Sequence, residues 1–144
     1  MPKCYLLTVA SGSSLDQYSN NVTLFNIVEQ FNIPAGAPPF SGGIVPLEIH
    51  AYFQLLPREV NQPFDVRFAM VAQSGLETFS DAFSHRSVTP RYRTRTVGLP
   101  FPPVVGQYEL RVDWREGGSE GWHREPVAWP VIIVEAAQRS AVTH

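Results

Sequence analysis

The sequence is poor in cysteine, poor in lysine and free of long apolar runs, and each shortage excludes something. Cys4 is the single cysteine in 144 residues, so no internal disulfide can form, and the chain reads as a resident of a reducing compartment. No stretch reaches the roughly 18–20 consecutive apolar residues that carry a helix across a bilayer. The run CYLLTVA (4–10), behind the only lysine, Lys3, is short and weakly charged for a secretory leader, so it reads as a first strand. A cytoplasmic setting is therefore expected, where the sequon Asn21-Val22-Thr23 would never meet a glycosylating enzyme.

A dominant charge is also missing. The net charge is −2, so no global field draws the chain to nucleic acid or to a membrane surface. No phosphate loop, zinc-protease helix, calcium loop or dinucleotide fingerprint occurs. The four histidines, His50, His85, His123 and His144, show no ligand spacing, and one cysteine adds little to them. No metal and no other cofactor is expected.

What the chain does have is punctuation. Thirteen prolines and ten glycines separate short apolar runs in a sequence that is 44% hydrophobic and 17% charged. That composition describes a folded chain, and that spacing describes many turns between short strands. A chain of this length fits one domain and buries most of its apolar surface without cross-links. The domain is expected over 1–135, with 136–144 as a tail.

Residue alternation predicts strands at 4–10, 44–56, 64–73, 91–99, 107–115 and 122–135. Phe64, Val66, Phe68 and Met70 point one way while Asp65 and Arg67 point the other. Segment 22–33 fits a helical stripe through Leu24, Ile27, Val28 and Phe31, yet its β-branched and aromatic content favours a strand. Segment 76–83 is a weak strand or one short helix, since Ser74 and Glu77 have capping-box spacing. PAGAPPFSGG (34–43) can only be a loop. About eight strands of this kind are best buried as an all-β, antiparallel two-sheet β-sandwich, each sheet keeping one wet face.

The best-patterned strand, QYELRVDWR (107–115), predicts Tyr108, Leu110, Val112 and Trp114 facing in. A hairpin centred on Gly118 would set Trp114 opposite Trp122, Asp113 opposite His123 and Arg111 opposite Glu125, with Pro126 bulging the ladder beyond. Within it, GQYELRV (106–112) resembles the Gly-x-Tyr-x-apolar strand of immunoglobulin-like sandwiches, which implies a corner where the tyrosine hydroxyl bonds backbone. Leu110 stands where antibody domains place a cysteine, so no intersheet disulfide is implied. More broadly, SLDQYSNNVTLFNIVEQF, RFAMVAQSG and RTRTVGLPFPPVVGQYELRVDW resemble a family of small bacterial proteins of unknown function. That resemblance implies a β-sandwich and a cytoplasmic setting, and it carries no catalytic residues.

Three constellations bear on chemistry. GGSEG (117–121) matches the nucleophile-elbow pattern around Ser119, but WHREPVAWP follows it where a helix is required, so a hairpin loop is the better reading and a serine hydrolase a remote one. His123 beside Asp113 has the form of an oriented general base, against the simpler reading of a surface pair. Trp122 and Trp129, with the 34–43 loop, are the candidate platform for a small ligand or carbohydrate, set against ordinary core packing.

The remaining constellation is RYRTRT (91–96), which puts Arg91, Arg93 and Arg95 on one face of a strand. No acidic residue occurs between Ala82 and Tyr108, and Arg86 falls in the same window. A one-signed patch suits an acidic partner, while Glu109 and Asp113 are at hand to pair it internally. The expected function is a non-catalytic module that binds a protein partner or itself through these four arginines.

Overall fold

The computed structural model describes residues 2–34, 47–100 and 104–136. Among these residues ten strands follow in chain order: β1 (Lys3–Leu15), β2 (Val22–Ile27), β3 (Gln30–Pro34), β4 (Glu48–Gln54), β5 (Phe64–Ala72), β6 (Glu77–Phe79), β7 (Phe83–His85), β8 (Arg91–Val97), β9 (Gly106–Glu116) and β10 (His123–Ala136). The sole helical element among the described residues is a 3-10 turn at Pro57–Glu59. One sheet has the order β2-β1-β4-β8, and the other β3-β10-β9-β5-β6 with β7 also on β5. The 34–43 loop falls almost wholly outside the described residues, as does the tail beyond Ala136.

The all-β, two-sheet expectation therefore holds, with two corrections. First, two predicted segments each divide, which brings the count to ten. In 22–33 the break falls at Val28–Glu29, beyond Ile27, which still pairs with Ala10; Asn26, just before it, is left-handed at φ 49, a conformation that a short polar side chain tolerates. Val28 N–H still reaches the Val9 carbonyl at 2.7 Å, and from Gln30 the chain belongs to the other sheet. In 76–83 neither a helix nor one strand forms, because at Ser80, whose N–H still reaches the Phe68 carbonyl at 2.9 Å, the side chain stands in for the backbone carbonyl. Its hydroxyl accepts the Phe68 N–H at 2.9 Å and donates to the Asp81 carbonyl at 2.8 Å. Second, the pairing is not purely antiparallel: β3 runs parallel to β10, from Gln30 beside Ile132 to Pro34 beside Ala136.

The inward faces of both sheets meet in one core. Val9, Ile49, Ala51 and Phe53 come from the four-stranded sheet; Val66, Phe68, Met70, Leu110, Val112 and Ile133 come from the other. Phe53 and Phe64 join the layers edge-to-face at 5.8 Å. Burying a large aliphatic or aromatic side chain contributes about 1.5–3 kcal/mol, so these rows dominate the stability. On β9 the predicted inward set, Tyr108, Leu110, Val112 and Trp114, is buried. The Tyr108 hydroxyl donates to the Val104 carbonyl, the backbone bond that the Gly-x-Tyr pattern led one to expect.

The β9–β10 hairpin is real, but its register is one residue off the prediction. Trp114 opposes His123 and Asp113 opposes Arg124. The turn is closed by Ser119 N–H to the Glu116 carbonyl at 3.0 Å, with Gly118 at φ 82, so the ladder centres between Gly118 and Ser119. The bulge expected at Pro126 is present, as a register shift between Arg124 and Ala128. Arg111 accordingly faces Ala128 and not Glu125, although its Nη2 donates to the Glu125 carbonyl at 2.9 Å. The Glu125 carboxylate instead accepts the Cys4 N–H at 2.5 Å, tying β1 to β10.

Candidate interaction surfaces

Alternation along β8 separates its two rows. Thr94 is buried and Tyr92 packs inward, its ring 6.0 Å from Phe64. Arg91, Arg93 and Arg95 are exposed on the opposite face. They lie beside the outward residues of β4, since Arg91 opposes Gln54, Arg93 opposes Tyr52 and Arg95 opposes His50. The β1–β2 connection overhangs this face, and between it and β8 runs an open groove of about 740 Å³ that includes Asn20, His50, Tyr52 and the three arginines. Arg86 precedes β8, exposed and outside the groove lining.

The three arginines are not equivalent. Arg95 Nη2 lies 2.5 Å from Oε2 of Glu48, a buried carboxylate that also accepts Ser13 Oγ at 2.7 Å and faces His50 Nε2 at 3.0 Å. The Arg95 hydrogen bond is the main reason the Glu48 carboxyl is held down at about 2. Arg93 donates through Nη2 to the Asn20 carbonyl at 2.6 Å and reaches over the Tyr52 ring at 5.8 Å. The Arg91 guanidinium has no hydrogen bond or ion pair among the described residues, while its carbonyl accepts Thr89 Oγ1 at 2.8 Å. The expectation that Glu109 and Asp113 would neutralise this row fails, because both stand on the other sheet.

Serine, carboxylate and histidine meet at Glu48, but in the wrong order for nucleophilic catalysis. The Ser13 hydroxyl donates to the carboxylate and not to the imidazole, so the histidine cannot accept its proton. Ser119 sits in a turn between two strands, where the strand-to-helix elbow has no counterpart. The register shift also separates Asp113 from His123. His123 stacks on Trp114, ring centroids 4.8 Å apart, while Asp113 points to the opposite face of the sheet. No group of three histidine, cysteine, aspartate or glutamate side chains is placed to hold a metal ion among the described residues.

The two candidate platform tryptophans do not come together. Trp129 is half-buried against the core and donates Nε1–H to the Val28 carbonyl at 2.8 Å. Trp122 lies on the outer face of the six-stranded sheet, 4.4 Å from the Arg67 guanidinium and 4.3 Å from that of Arg115.

That outer face holds a network the sequence reading missed. Asp113, 1% exposed, accepts Arg67 Nε at 3.0 Å and Arg124 Nε at 2.8 Å. Arg124 reaches on to Glu77 of β6. Asp65 accepts Ser84 Oγ at 2.7 Å and Arg115 Nε at 2.9 Å, contacts that lower its pKa in that order of weight. Phe79 completes the cover, 4.1 Å from the Arg67 guanidinium. The signal was in plain sight: two Asp-x-Arg tripeptides, Asp65-Val66-Arg67 and Asp113-Trp114-Arg115, pair antiparallel, so each aspartate meets the other's arginine. Reading it required knowing that β5 and β9 are neighbours.

Comparison with known proteins returned nothing to set beside this geometry: no family model, no curated protein and no solved structure matches the chain. No helix among the described residues is long and apolar enough to cross a membrane.

Proposed function

We propose that the protein is a non-catalytic interaction module whose contact surface is the Arg91, Arg93 and Arg95 row with the groove beside it. The observation that carries this reading is the state of those guanidinium groups. Arg91 is unpaired among the described residues, Arg93 spends one N–H on a backbone carbonyl, and Arg95 keeps a 57% exposed side chain while holding Glu48. Glu48, the carboxylate that meets Arg95, is buried and already holds Ser13, His50 and Arg95, so the face offers donors and few acceptors. Arg86 widens the positive field without lining the groove.

The proposed architecture is an immunoglobulin-like sandwich. Supporting it are the β1-β4-β8 and β5-β9-β10 neighbour relations, the parallel β3–β10 edge and the Tyr108 corner bond. The kinship to small bacterial proteins and the cytoplasmic setting belong to the same proposal. A small-ligand module built on Trp122 and Trp129 gains less support, because both side chains are already engaged, one by two guanidinium groups and the other by a carbonyl.

Arg91→Ser with Arg93→Ser tests the reading, sparing Arg95 because Glu48 depends on it. On immobilised heparin and on a poly-glutamate matrix, used as generic polyanions, the double variant should elute at clearly lower salt than wild type with an unchanged far-UV spectrum. Identical elution from both would contradict an anion-recognising face here.

A further inference from the structure

We infer that the partner of this face is an extended acidic polypeptide that adds as a strand to the free edge of β8, an inference that rests on the interaction reading above and names its ligand class. β8 is a terminal strand of its sheet, pairing with β4 on one side only among the described residues. Its seven residues, Arg91–Val97, contain no proline or bulge, so the outward backbone groups form a regular template, apart from the Arg91 carbonyl, which already accepts Thr89 Oγ1 at 2.8 Å. The other edges are poorer templates. β6 and β7 are three residues each, β3 ends at Pro34, and the β2 ladder is interrupted at the left-handed Asn26.

Charge decides which strand fits. Arginines at every second position repeat about 6.8 Å apart along the edge, the distance between alternate side chains on any added strand. A strand from a second copy of β8 would bring like charges together, which is unfavourable, whereas acidic residues at i, i+2 and i+4 would stand beside Arg91, Arg93 and Arg95. The row thus refuses one kind of strand and selects the other. The 35–46 and 137–144 segments contain no aspartate or glutamate, so this chain does not supply the acidic strand from those segments.

Three fluorescein-labelled nine-residue peptides of equal charge test the inference by anisotropy: one alternating glutamate with valine or threonine, one with the same residues scrambled so that the glutamates cluster, and one alternating but N-methylated on the backbone amides of one edge. The alternating peptide should bind saturably and lose about fivefold to thirtyfold in Arg91→Ser/Arg93→Ser. The scrambled and N-methylated peptides should bind at least several-fold more weakly, because register and backbone hydrogen bonds are lost while charge is kept. Equal binding of all three, each weakened by the arginine substitutions, would overturn strand addition and leave the anionic face standing. Binding of none, with polyanion retention also unaffected by the substitutions, would overturn both.

Discussion

On the six-stranded sheet, Arg67, Arg115 and Arg124 each end on a carboxylate that is buried or nearly so; on the four-stranded sheet, Arg91 ends in solvent. The two outer faces carry similar numbers of arginines and use them differently. Where Asp-x-Arg pairs with Asp-x-Arg, positive and negative charges alternate across strands, and Trp122 and Phe79 close over the guanidinium groups. Where Arg-x-Arg-x-Arg runs alone along an edge, a single buried glutamate anchors one arginine, and the rest remain available. A guanidinium count therefore says little about binding; what matters is which residue stands opposite on the next strand.

The comparison can be broken most severely at Asp113. Asp113→Asn leaves Arg67 and Arg124 without their shared counter-charge, and a loss of about 3 kcal/mol is expected from denaturant melts. A loss comparable to that of an ordinary surface substitution would mean the network is ornamental. Trp122→Ala strips the ring from Arg67 and Arg115 and should cost about 1–2 kcal/mol, with no effect on polyanion retention. If retention changes instead, the second face is also a contact surface.

Acid sharpens the contrast on the first sheet. Glu48 sits at about 2 when folded, against an ordinary 4.5, so its contribution is complete above about pH 4.5 and disappears as pH falls toward 2. Glu48→Gln should thus remove part of the stability at pH 7 and flatten the acid limb of the melting-temperature profile below pH 4.5. A variant whose acid limb runs parallel to that of wild type would detach Glu48 from the linkage. The smallest effect belongs to Arg91→Ser, which should change stability by less than about 0.5 kcal/mol while lowering the salt at which the protein leaves heparin.

How much of this was legible follows the same physics. β9 could be read because Tyr108 through Trp114 alternates without interruption between a buried row and a polar one, and the Tyr108 corner came with it. The outward direction of the β8 arginines was likewise a matter of period. The hairpin register was not legible, because the turn placed its centre between two residues and sequence symmetry pointed to one of them. The division of 22–33 was not legible either, because Ile27 still pairs with Ala10 and the chain changes sheet only across Val28–Glu29, a step that no local pattern announces. Whether the arginines were paired depended on neighbours far away in sequence: Glu48 lies 47 positions from Arg95, and Asp113 46 from Arg67. Local pattern fixes which way a side chain points; only the strand order fixes what it meets.

The contrast between the two faces is tested most directly by phenylglyoxal modification of the folded protein, with each arginine's labelling rate followed by peptide mass spectrometry. Arg91 should label fastest of the outer-face arginines, Arg93 and Arg95 more slowly, and Arg67, Arg115 and Arg124 slowest, the last group rising to the common rate once the protein is unfolded. Labelling of Arg67, Arg115 and Arg124 as fast as Arg91 in the folded state would contradict the account.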